Sequence, residues 1–291
     1  MFNTKNKICI STVRSLHAAA ICMAVGLFAA QHSEASQGYT FCLTDNNSSV
    51  TIKADNDYGM SSWNVDNVPQ LYRQWFWYRN GNTGGEKTIN QLDLISAQQT
   101  SASTLTTIYR KANTFSIEVS YALMGGASGS GFSSIGEQIK ITNLTGGLLD
   151  FHFFQYVDFD LGGWSQGDTV QLGQNISGLF DSAYQNKGTS YFADEIVSPG
   201  AHHGQAGLHP SIYFELTDNS PTTLNDSVGP VTGDATWAFQ WDAAIPAGGS
   251  FSIALNKSVY VTAIPEPSTL ALIPVALGIL GVARRRFMQD K

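Results

Sequence analysis

Phe115-Ser116-Ile117-Glu118-Val119-Ser120-Tyr121 alternates apolar and polar residues without a break. Successive side chains of an extended chain point to opposite sides, so Phe115, Ile117, Val119 and Tyr121 share one face and the polar residues the other. That is the pattern of a half-buried strand. The same period recurs outward in both directions, in Val50-Thr51-Ile52-Lys53-Ala54, in Gln138-Ile139-Lys140-Ile141-Thr142 and in residues 236–243 and 250–262. Ser211-Ile212-Tyr213-Phe214-Glu215-Leu216 also alternates and is expected as a strand. Turn-forming residues separate the runs: Asn46-Asn47-Ser48, Asn80-Gly81-Asn82, Asn143-Leu144-Thr145-Gly146-Gly147 and Pro246-Ala247-Gly248-Gly249. No useful stretch of 3.6-residue periodicity lies between the two ends. The expectation is an all-β fold of twelve to fourteen strands in one domain over residues 37–262, an antiparallel β-sandwich of jelly-roll type.

Two stretches carry more than alternation. In residues 150–160, Phe151, Phe153, Gln155, Val157 and Phe159 face one way, while His152, Phe154, Tyr156, Asp158 and Asp160 face the other. A strand with aromatics on both faces is central, or has its second face covered by a loop. Trp75-Phe76-Trp77-Tyr78 likewise places two rings on each face. Burial on both faces is the simplest account. The alternative leaves Trp75, Trp77 and Tyr78 as flat rings for carbohydrate contact.

Composition narrows the function. The 291 residues are 43% hydrophobic and 11% aromatic, which excludes a disordered chain, and 13% charged, about half the usual share for a soluble domain. Net charge is −7, and residues 36–262 hold nine Lys and Arg against twenty Asp and Glu. A body so acidic does not suit nucleic acid, which needs a basic face to meet phosphates. Positive charge gathers at the ends. Lys5, Lys7 and Arg14 precede an apolar stretch over residues 16–30, and Ser33-Glu34-Ala35 offers small residues to a signal peptidase, so residues 1–35 read as a signal peptide cleaved after Ala35. At the other end, Pro265-Glu266-Pro267 precedes an apolar segment over about residues 269–283 and then Arg284-Arg285-Arg286. The prolines keep the entry extended. The arginines mark the cytoplasmic side of a short transmembrane helix.

This C-terminal arrangement over residues 264–291 resembles the PEP-CTERM sorting signal of Gram-negative bacteria. The resemblance covers Pro265, Glu266 and Pro267, the apolar helix and the basic cluster Arg284, Arg285 and Arg286. It implies recognition by an exosortase, transient membrane anchoring, processing, and a destination at the cell surface or outside the cell. It also implies association with exopolysaccharide or biofilm. It says nothing about the body.

Within the body, several constellations invite chemistry. Gly163-Trp164-Ser165-Gln166-Gly167 matches G-x-S-x-G, with Asp194 and then His202, His203 and His209 following in hydrolase order. That motif needs a strand running into a helix, whereas residues 168–172 read as another strand, so a glycine-rich loop is the expectation and a serine hydrolase at Ser165 the lesser alternative. His202, His203 and His209, near Asp194 and Glu195, are metal-ligand types in no established metal spacing. Asp55-Asn56-Asp57-Tyr58-Gly59 opens like a calcium loop but lacks the closing Glu. No cofactor is indicated. From sequence the body is expected to be a non-enzymatic surface or extracellular-matrix protein whose partners are signal peptidase, an exosortase and extracellular polysaccharide, with carbohydrate binding through exposed aromatics as the alternative.

Overall fold

The computed structural model describes residues 38–262, and the segments read as a signal peptide and a sorting signal, residues 1–35 and 264–291, lie outside them. Two antiparallel sheets face each other. The first is built from β1 (Thr40–Asp45), β2 (Ser48–Lys53), β3 (Gly59–Val65), β4 (Val68–Asn80) and the short β5 (Lys87–Thr88). The chain then crosses to the second sheet for β6 (Asp93–Gln99), β7 (Thr104–Lys111), β8 (Phe115–Gly125) and β9 (Phe132–Asn143). It returns for β10 (Leu149–Phe159) and crosses again for β11 (Asp168–Gln174), β12 (Phe180–Lys187) and β13 (Tyr191–Ala201). β14 (His203–Leu208) belongs to the first sheet and leads into a single-turn helix, α1 (Ser211–Glu215). β15 (Val231–Gly233) edges the second sheet, β16 (Ala235–Ile245) lies in the first between β10 and β14, and β17 (Ser250–Val261) completes the second.

The first sheet runs β1-β2-β3-β4-β10-β16-β14, with β5 beside β4, and the second runs β15-β11-β12-β13-β17-β9-β8-β7-β6. The all-β sandwich expected from the alternating runs is therefore present. The described residues form seventeen strands, more than the eight of a jelly roll, and long stretches of each sheet are meanders.

The doubly aromatic stretches explain the centre. β4 and β10 pair directly, with Tyr78 opposite Phe153, Trp77 opposite Phe154 and Trp75 opposite Tyr156. Phe76 stacks on Phe153 at 5.4 Å, and Tyr78, Phe115 and Phe151 interlock between the sheets. Such close ring pairs add to the area they bury. A polar network shares this interior. Lys257 Nζ lies 3.3 Å from Glu137 Oε1 and 2.9 Å from Glu195 Oε1, all three fully buried. Gln74 donates to Glu137, and Gln155 and Trp237 donate to Glu195. Burial and the second carboxylate push Glu137 up, against the pull of Lys257.

Two expectations are corrected here. Trp75, Trp77 and Tyr78 are buried. Trp75 packs edge-on to Tyr109 and donates its Nε1 to Asn90, while Trp77 lies under Tyr213. None of the three offers a free face to a sugar. Residues 211–215 form α1 and not a strand. Ile212 and Leu216 are buried at i, i+4 spacing and Phe214 is exposed, so the helical period wins where four apolar and aromatic residues fit both.

Candidate functional site

The site grows from a break in the pairing of β4 with β10. Arg73 pairs with Asp158, yet Phe159 pairs with Leu71, so Tyr72 is an extra residue on β4. A bulge of this kind turns a side chain that strict alternation would hide. Tyr72 emerges 40% exposed. A second irregularity, where Gly59 and Met60 both face Gln74, brings in Tyr58, 41% exposed. The hydroxyls of Tyr58 and Tyr72 meet at 3.3 Å, and their rings sit edge to face at 6.1 Å. This hydrogen bond, with partial burial, pushes the Tyr72 phenol up to about 12. Lys53 Nζ lies 4.7 Å from the Tyr58 ring.

These tyrosines wall a cleft of about 440 Å³, whose other lining includes Lys53, Ser61, Ser62, Asn64 and Asp160. That volume falls in the range of small-molecule sites. Aromatic walls beside hydroxyl, amide and carboxylate groups make a surface complementary to a sugar, whose C–H face stacks on rings while its hydroxyls bond at the edges.

Tyr72 joins the cleft to an acid–base cluster. Its ring meets the imidazole of His209 edge-on at 6.3 Å. His209 Nδ1 lies 3.1 Å from Asp158 Oδ2, and the Tyr156 hydroxyl donates to the same oxygen at 3.1 Å. Asp158 is buried, and its Oδ1 has no hydrogen-bond partner among the described residues. Burial, with Asp160 and Asp234 nearby, pushes the Asp158 carboxyl up to about 8. Asp160 is also raised, by burial first and then by Asp234. Oxygens of Asp158, Asp160 and Asp234 lie within 4.8 Å of one another, the one group of three or more such side chains among the described residues close enough to share a metal ion. Arg73 completes the cluster. Its guanidinium is 4.0 Å from the Tyr213 ring, with Tyr156 and Tyr58 just beyond, and its Nε and Nη2 are unpartnered.

The structure separates the histidines grouped in the sequence. His209 joins Asp158 at one end of the first sheet. His203 opens β14 at its other end and His202 precedes it; there His203 Nδ1 is 3.0 Å from Asp226 and His202 Nδ1 accepts from the Asp242 amide. Asp242 is held below its usual range, by the hydrogen bonds from His152 and Gln240 against the opposing pull of burial. One metal therefore cannot take all three imidazoles. Ser165 sits in the loop before β11, and no histidine is hydrogen-bonded to it among the described residues, so no triad assembles. Asp57 of the calcium-like stretch accepts from the Tyr213 hydroxyl, and Asn56 closes its own turn. Both act as structural braces.

No family model matches the sequence, and no curated protein does. Solved structures do share the fold. A protein of Escherichia coli K12 designated an aldose 1-epimerase matches at 10% identity with a TM-score of 0.53, covering 76% of this chain and 99% of that one. A galactose mutarotase related enzyme of Lactobacillus acidophilus matches at 9% identity and 0.52, covering 77% and 98%. A bacterial glucoamylase solved with acarbose matches at 10% identity and 0.53 over 84% of this chain, which spans about a third (36%) of the glucoamylase. At such identities the likeness shows the fold alone. That fold is one that sugar-converting enzymes carry, and it overturns the expectation of a non-enzymatic surface or matrix protein.

Proposed function

We propose that the body is a carbohydrate-active domain that binds a pyranose in the Tyr58–Tyr72 cleft and moves protons at its anomeric centre. The observation that carries this is the joining, through Tyr72, of an aromatic, hydroxyl-lined cleft to a buried carboxyl that keeps its proton at neutral pH. A protonated Asp158 donates to His209 Nδ1, which places the single proton of the neutral imidazole on Nε2. Nε2–H can then protonate the ring oxygen of a pyranose, with Asp158 supplying the replacement proton through Nδ1. Asp160, which lines the cleft and is made more basic by burial and by Asp234, takes the proton of the anomeric hydroxyl. The bond from the anomeric carbon to the ring oxygen breaks as the carbonyl forms. Reclosure on the other face returns both protons and gives the other anomer. The enzymes of like fold support a reaction of this class.

Binding is tested by saturation-transfer NMR with glucose and galactose. The wild type transfers magnetisation to the pyranose, and Tyr58→Ala/Tyr72→Ala loses most of it. Equal transfer to both proteins overturns the site.

The ends of the chain support a further part of the proposal, namely export after cleavage at Ala35 and sorting through Pro265, Glu266, Pro267 and the Arg284–Arg286 cluster. Signal peptidase and an exosortase-type enzyme would be the partners, and the cell surface or extracellular space the destination. An extracellular polysaccharide is then the nearest source of substrate.

A further inference from the structure

The loop between β10 and β11 carries an exposed tryptophan that nothing in the fold uses. Trp164 is 74% exposed, whereas Trp63, Trp75, Trp77, Trp237 and Trp241 are all fully buried. Its indole makes no ring contact and no hydrogen bond among the described residues. Exposing the largest apolar side chain forgoes the burial that the other five obtain.

The backbone beneath it is nevertheless held from several sides. Lys187 Nζ binds the Trp164 carbonyl and also lies 3.3 Å from the buried carboxylate of Asp168. Gly162 donates to Gln70 Oε1, Gly163 to the Asp160 carbonyl, and Leu161 to Asp168. Gly162 and Gly163 take φ of +72° and +82°, and a Cβ on Gly163 would stand 2.9 Å from Pro69. Glycine is therefore required there. A fixed backbone presenting a free aromatic ring is the arrangement of a preorganised contact, which loses little freedom when a ligand arrives.

The place of the ring gives it an occupant. Gly163 and Asp160 line the cleft, and Trp164 directly follows Gly163, so the exposed indole is carried at the rim of the cleft that Tyr58 and Tyr72 wall. We infer that Trp164 forms a second sugar subsite, and that the natural ligand is the end of an oligosaccharide or polysaccharide chain and not a free monosaccharide. This rests on the pyranose site proposed above. The first sugar lies between the tyrosines, and the next along the chain stacks on Trp164.

The molecule supplies its own probe, because Trp164 alone among its tryptophans is open to a soluble quencher. Acrylamide quenching is measured on the full chain with glucose and galactose, then with maltotriose and β-1,4-galactotriose, while saturation-transfer NMR reports binding independently. A trisaccharide that binds should cut the quenching constant by about half or more, since stacking covers one face of the ring. Monosaccharides should bind and leave it unchanged. Trp164→Ala should weaken trisaccharide binding about tenfold, a typical worth for one aromatic contact, and leave monosaccharide binding within about twofold. Trp164→Phe should recover most of the loss, and the urea midpoint of all three proteins should agree. Trisaccharide binding that leaves quenching unchanged, or that survives Trp164→Ala at full strength, overturns the subsite while the pyranose site stands. No binding of either size class overturns both.

Discussion

Asp158→Asn isolates the one proton on which the proposed chemistry depends. In the unfolded chain this carboxyl titrates at its ordinary 3.8, and in the folded protein at about 8. Between those values the folded state holds a proton that the unfolded state has lost. Unfolding then becomes easier as pH rises, by about 1.4 kcal/mol per pH unit for one proton. The loss begins near pH 4, levels off above pH 8 and totals on the order of 6 kcal/mol. Asparagine carries no such proton. Urea unfolding of both proteins at pH 5, 6, 7, 8 and 9 gives the difference in stability, in which the titrations of groups remote from Asp158 cancel. The wild type should lose ground to the variant at close to the one-proton slope from pH 5 to 7, and the difference should be flat by pH 9. Any hydrogen bond lost by the substitution moves the offset and leaves the slope alone. A difference that stays constant from pH 5 to pH 9 would refute the claim that Asp158 remains protonated.

Two further outcomes follow from the interior. Lys257→Met leaves Glu137 and Glu195 facing each other in the core and should cost about 3–5 kcal/mol, the penalty for an uncompensated buried charge. Adding Glu137→Gln and Glu195→Gln should restore much of it, as read by urea midpoints at pH 7. Gly59→Ala should cost about 2–4 kcal/mol, from a left-handed φ of +53° and a Cβ placed 2.1 Å from the Trp75 ring. A thermal-melting midpoint within a degree of wild type would contradict it.

The sheet framework is legible in the sequence because period-two alternation survives in most strands. Residues 115–121 lie in β8, residues 138–142 in β9 and residues 236–243 in β16. The double aromatic faces of residues 75–78 and 150–160 correctly mark two central strands. The cleft is far less legible. Asp158 and Asp160 are visible in sequence on the second face of residues 150–160, although β10 ends at Phe159, but Tyr72 is exposed only because a bulge breaks the alternation, and no residue type announces that bulge. His209 stands six residues from His203 in sequence. An extended strand stretches that interval to about 20 Å, so neighbours in the chain serve opposite ends of a sheet. Trp164 was hidden inside a motif that suggested Ser165, because a G-x-S-x-G pattern directs attention to the hydroxyl and not to the ring before it.

The central claim is that the His209–Asp158 pair and Asp160 interconvert the anomers of a bound pyranose. Magnetisation exchange between the two anomeric protons, recorded by NMR on glucose and galactose and on reducing oligosaccharides, measures this directly. The account predicts exchange well above the spontaneous rate with wild-type protein, lost with His209→Ala and with Asp160→Asn. Exchange at the spontaneous rate for every sugar that binds, or full exchange in both variants, would contradict it.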